Sequence, residues 1–110
     1  MRWVEINQDK LTDKTVQKIS VEGKILVLIK FKADFFITES KCPHAGADIS
    51  QGWCNKDGNL VCPFHRHEYQ LSNGRGKVGQ GDYLKTYPVK QEFGKIFVGF
   101  KEGWWEKLFH

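Results

Sequence analysis

Two short turns, Cys42-Pro43-His44 and Cys62-Pro63-Phe64-His65, constrain this chain more than any other feature, with 17 residues between His44 and Cys62. Each turn offers one thiol and one imidazole. In each, a proline directly after the cysteine fixes φ and stiffens the ligand's approach. Neither turn is long enough to supply four ligands, so a fold that uses them has to bring one loop against the other. Thiolate sulfur and imidazole nitrogen together suit iron–sulfur clusters, zinc and copper, whereas hard cations take oxygen. A lone cysteine or histidine is ordinarily packed in a core or solvated. Two matched Cys-Pro-(x)-His units seldom arise by chance, and they read as metal ligands. A thiol nucleophile made of Cys42 and His44 is a poorer reading, because so tight a turn sets both groups for a shared metal better than for attack on a substrate. No catalytic residue is assigned.

The rest of the chain reads as scaffold for these turns. Residues 3–6, 16–21, 24–31 and 34–39 are rich in β-branched and aromatic side chains, and so are 67–71, 86–91 and 95–100. Glu22-Gly23, Lys32-Ala33 and Phe93-Gly94 fall where turns are needed. Asp57-Gly58 is the clearest hairpin signal; it joins a stretch around Trp53-Cys54 to Leu60-Val61 and would set the two cysteine turns side by side. Residues 10–15 and 46–50 have room for one helical turn each. The pattern predicts an all-β domain of antiparallel strands. Trp104, Trp105, Leu108 and Phe109 near the C-terminus are spaced as one face of a short helix, which either packs on the sheet or docks a partner.

A chain of 110 residues with 14% aromatic and 27% charged residues is one ordinary globular domain, able to build a core without disulfides. The N-terminus has no apolar signal-peptide core, and the longest apolar run, residues 25–29, is far short of a membrane span. A cytoplasmic location with no membrane contact is expected, and three reduced cysteines fit it. A formal net charge of +4 serves solubility first and attraction to an acidic partner second. The lysines are scattered, so nucleic acid is not expected as a partner. Gly74 to Gly79 formally fits a dinucleotide-binding glycine pattern, but no βαβ unit can be built around it.

The pattern C-P-H-x17-C-P-F-H resembles the C-x-H…C-x-x-H signature of Rieske iron–sulfur domains. CPHAGADIS resembles that family's first ligand loop, and the later YPV…GKIFV run its closing strands. The resemblance implies a single Rieske domain over residues 1–110, built of stacked antiparallel sheets, with ligand loops at about 40–48 and 62–69 holding a [2Fe–2S] cluster at one tip. Cys42 and Cys62 would bind one iron, and His44 and His65 the other. Two ferric ions, two sulfides and two thiolates carry no net charge with neutral imidazoles, whereas an all-cysteine site is a dianion. Adding an electron is easier at the neutral site, so Rieske potentials lie at roughly −150 to +300 mV against about −400 mV for plant-type ferredoxins.

The chain departs from the respiratory branch of that family in ways that matter chemically. Ala47 and Phe64 stand where those proteins have the cysteines of a disulfide, so it looks more like the soluble ferredoxins. Arg66 and His67 replace a Gly-Ser pair whose hydroxyl donates to the cluster, which predicts a potential in the lower or middle part of the range. Tyr69 stands where the family's tyrosine would. Either its hydroxyl reaches a cysteine sulfur or it is a strand aromatic, and the residues alone do not separate the two. His67 is expected to face solvent beside the cluster, Arg66 to meet a partner, and Cys54 to be a small buried hydrophobe. Residues 73–82 would form a third loop over the cluster.

The function these features imply is that of a one-electron carrier between a reductase and a terminal oxygenase or similar enzyme, as a monomer or weak oligomer. The chain has no room for a substrate domain, and catalysis by the chain alone is not expected. A small Rieske subunit or redox sensor of a larger reductase is one alternative. A structural zinc module using Cys42, Cys62 and two of His44, His65, His67 or Cys54 is the other.

Overall fold

The computed structural model describes residues 1–43, 46–64, 66–77 and 79–101. Ten strands build three antiparallel sheets: β1 (Arg2–Glu5), β2 (Val16–Val21), β3 (Lys24–Phe31), β4 (Asp34–Glu39), β5 (Trp53–Cys54), β6 (Asn59–Val61), β7 (Glu68–Gln70), β8 (Thr86–Tyr87), β9 (Val89–Glu92) and β10 (Lys95–Phe100). The sheet orders are β1-β10-β9, β2-β3-β4-β8 and β5-β6-β7.

The β2-β3-β4-β8 sheet lies in the middle, and β3 shows why. Its apolar side chains run without a break, as expected of a strand buried on both faces. Because side chains alternate, Leu26 and Leu28 face one way and join Ile6, Val21, Ile37, Ile96 and Val98 against the β1-β10-β9 sheet. Val27 and Ile29 face the other way and pack with Ile49, Leu60, Tyr69, Leu71, Leu84 and both site cysteines. Burying each large aliphatic side chain here contributes roughly 1.5–3 kcal/mol. One strand thereby couples the frame to the site.

Tight turns set the register. Glu22-Gly23, Lys32-Ala33 and Phe93-Gly94 close their hairpins with Glu22, Lys32 and Phe93 at φ of 51°, 56° and 53°. Residues 86–91 do not form the single strand their composition suggests. Pro88 has no N–H for a ladder, and the chain switches sheets there: Tyr87 pairs with Ile37, and Val89 with Val98. The two helical turns lie at Gln8–Lys10, which meets the expected 10–15 only at residue 10, and at Ile49–Gln51, which overlaps the end of the expected 46–50. Asn7 and Asp48 fix their positions, each side chain accepting from the backbone N–H two residues on. Apart from these 3-10 turns the described residues hold no helix, and no helix is long and apolar enough to cross a membrane. The C-terminal helix expected over residues 104–109 lies outside the described residues.

Residues 40–85 leave the middle sheet at the end of β4 and return to it at β8, carrying the β5-β6-β7 sheet and both cysteine turns. The stretch from residue 73 to 85 depends on Gly74. Its φ is +76°, its N–H donates to Gln70 O, its carbonyl accepts from Leu84, and a Cβ there would lie 1.8 Å from Leu84 O. Gly74→Ala combines left-handed strain with backbone collision and should cost about 3 kcal/mol. A urea midpoint unchanged from wild type would contradict that.

Candidate metal centre

The two cysteine turns are closed in the same way. Cys42 N–H donates to Ala47 O at 2.8 Å, and Cys62 N–H donates to His67 O at 2.8 Å. In each, a cysteine bonds to the carbonyl five residues on and so opens a six-residue loop. Behind the first, Gly46 N–H donates to Cys42 O, Lys41 bridges Asp48, and Ile49 N–H donates to Ser40 O. Lys18 holds Asp48 from β2 at 2.6 Å. The Lys18 and Ser50 hydrogen bonds keep the Asp48 carboxyl below the usual range, against its partial burial. Behind the second loop, Val61 pairs with Glu68 in the β6–β7 hairpin, and Arg66 takes φ of 55° to turn the chain.

One close backbone approach brings the loops together. Gly52 follows the 3-10 turn after the first loop, and a Cβ there would lie 2.0 Å from the carbonyl of Val61, the residue before Cys62. Both cysteines are almost fully buried, at 1% and 0% exposure. Burial pushes the Cys62 thiol up to about 11; a bond from the Phe64 backbone opposes this, while a hydrogen bond with Cys42 adds to it. Cys42 and Cys62 are therefore neighbours, and the surroundings of Cys62 disfavour a bare thiolate. A pair of buried, adjoining thiols fits a site whose negative charge is met by metal cations. His44 and His65 lie outside the described residues.

Tyr69 is fully buried and does reach a cysteine: its hydroxyl oxygen lies 3.4 Å from Cys42 Sγ. The same hydroxyl donates to Asp82 Oδ2 at 2.8 Å. Asp82 is a part of the site that the sequence pattern did not reveal. It belongs to the glycine-rich stretch, which folds onto β7 through several bonds. Lys77 N–H donates to Glu68 O, Glu68 N–H donates to Gln80 Oε1, and Gln80 Nε2 donates to Asp82 Oδ1. Glu68 also accepts from Asn55, just after β5, from Asn59 of β6 and from Lys77 Nζ of this loop, so several segments meet on one carboxylate. Its hydrogen bonds with Asn59 and Lys77 outweigh burial and hold it below the ordinary carboxylate range.

His67 does not face solvent as expected. Its side chain is 20% exposed, with Nδ1 buried 3.9 Å from Asp82 Oδ2, because the glycine-rich loop covers it. Cys54 packs at the edge of the core that holds the site, where burial raises its thiol to about 11. Among the described residues, no three His, Cys, Asp or Glu side chains are grouped to hold a metal ion. Among the described residues, Cys54 and His67 do not group with the cysteine pair.

Comparison with known proteins agrees with this geometry. Residues 2–89 match the Rieske [2Fe-2S] domain. The ferredoxin subunit of 3-phenylpropionate/cinnamic acid dioxygenase from Photorhabdus laumondii is 30% identical over 95 residues, covering 86% of this chain and 90% of that one. The ferredoxin component of the alkene monooxygenase system from Xanthobacter autotrophicus is 26% identical over 91 residues, 83% of this chain and 75% of its own. Among solved structures, the ferredoxin of carbazole 1,9a-dioxygenase from Nocardioides aromaticivorans IC177 superposes with a TM-score of 0.77 at 18% identity, over 92% of this chain and all of that one. The chain belongs to the family of Rieske [2Fe-2S] domains, whose members carry a [2Fe–2S] cluster.

Proposed function

We propose that this chain is a Rieske-type ferredoxin that passes single electrons from a reductase to a terminal oxygenase or a similar enzyme. Cys42 and Cys62 hold one iron of a [2Fe–2S] cluster, and His44 and His65 hold the other. The supporting observation is the pair of buried, adjoining thiols presented by two loops of identical closure. Two relatives similar in sequence are ferredoxin components of a dioxygenase and of an alkene monooxygenase system.

A bound cluster supplies reversible one-electron chemistry at a potential set by its ligands and their hydrogen bonds. The chain contributes the rest. The matched N–H···O closures tie each cysteine to the far end of its own turn. The core around Cys42 and Cys62 keeps water from both sulfurs. Phe64 and Arg66, on either side of His65 in sequence, are exposed. We read residues 1–110 as a single domain; in support, the middle sheet contributes to both buried cores of the described residues. We place the protein in the cytoplasm, where its three free cysteines stay reduced.

The test is the protein as purified, before and after dithionite. Visible colour, equal iron and acid-labile sulfide, and an EPR signal that appears on reduction are expected. Colourless, iron-free protein loaded with zinc after anaerobic handling would sink the carrier role.

A further inference from the structure

Tyr69 has one hydrogen to give and two acceptors beside it. Its oxygen lies 2.8 Å from Asp82 Oδ2 and 3.4 Å from Cys42 Sγ. An ordinary phenol keeps its hydrogen at neutral pH. A cysteine bound to iron is a thiolate and carries no hydrogen. On the line Cys42–Tyr69–Asp82 the phenol's hydrogen is then the only one available.

The contest favours the carboxylate. The carboxylate keeps its charge on oxygen, whereas a thiolate bound to iron shares its charge with the metal, and the oxygen is also the nearer acceptor, at 2.8 Å against 3.4 Å. The Tyr69–Asp82 distance is already that of a normal O–H···O bond. Asp82 is also held in place: Gln80 Nε2 donates to its Oδ1 at 3.1 Å, and its carbonyl accepts from Gly76 N–H at 3.0 Å. Only hydrogen would fit at the α-carbon of Gly76, because a Cβ would lie 2.6 Å from the Asp82 carbonyl.

We propose that Asp82 holds the potential of the bound cluster down by drawing the Tyr69 hydrogen away from Cys42 Sγ. This rests on the reading of Cys42 as an iron ligand. A donor at a ligand sulfur stabilises the reduced, more negative site; withdrawing it, and setting a carboxylate nearby, both make reduction harder. Asp82 acts through Tyr69 and is a positioning residue.

The test is a double-substitution cycle on the cluster-loaded protein, read as midpoint potential by voltammetry. Tyr69→Phe alone should leave the potential close to wild type, because its hydrogen is already committed to Asp82. Asp82→Ala should shift it upward, by about tenfold in the reduction equilibrium or about 59 mV for one electron. Tyr69→Phe added to Asp82→Ala should then bring the potential down by a clear step. Should the alanine variant fail to load iron, Asp82→Asn replaces it in the cycle, with the same signs and smaller steps. Equal effects of Tyr69→Phe in both backgrounds overturn the proposal, as does the absence of any upward shift at Asp82. If wild type itself shows no reducible cluster, the ligand reading fails and this proposal falls with it.

Discussion

Cys62→Ser protein is expected to purify colourless, with iron too low to give an EPR signal on reduction. Cys62 is fully buried beside Cys42, and its loop is fixed by the His67 carbonyl. Among the described residues no third ligand-type side chain joins the pair; Cys54 packs at the edge of the core. A serine hydroxyl is shorter and far harder to ionise than a thiol, and iron in such clusters prefers soft sulfur. Loss of an outer-shell partner already costs 10–100-fold in metal affinity at typical sites, so loss of a ligand should cost more than about 100-fold. Iron analysis of the purified variant is the check. Full occupancy in Cys62→Ser would remove Cys62 from the ligand set.

Exchanging an imidazole for a thiolate should act on the electron and not on the metal. His65→Cys keeps four ligands and the Cys-Pro-Phe spacing but adds one negative charge to the site. The gap between Rieske centres and all-cysteine ferredoxins puts the fall in potential on the order of 100 mV or more. Voltammetry on protein whose iron content matches wild type measures it. An unchanged potential at full iron content would mean that His65 is not bound to iron.

Much of the frame was legible in the sequence because its cues are local. Residues 16–21, 24–31, 34–39 and 95–100 form strands with the limits expected, each a β-branched or aromatic run with a two-residue turn at one end or both. The unbroken apolar run of β3 further encodes a strand buried on both faces. Where a residue obeys a rule about its distant surroundings, the reading failed. Pro88 ends one strand and begins another because the sheets on either side of it differ, which composition does not record. His67 reads as a surface histidine until the glycine-rich loop covers it.

The site was legible in part for the same reason. Cys42 and Cys62 declare themselves through a repeated local unit, and Tyr69 through its place after it. Asp82 carries no such mark: an aspartate among glycines signals a turn. Only folding brings it across 13 positions onto the Tyr69 hydroxyl. Charge, turn propensity and spacing are all blind to that contact.

The excursion from residue 40 to 85 departs and returns between hydrogen-bonded neighbours, with Glu39 N–H donating to Lys85 O and Thr38 paired with Thr86. Its doorway is therefore one rung of a ladder, and the rest of the molecule does not record how long the detour is. Such a plan lets descent reshape the business end by insertion, deletion or exchange of loops while the supporting sandwich keeps its pairing. A lineage could suit itself to a new electron acceptor by editing the head and leaving the handle alone.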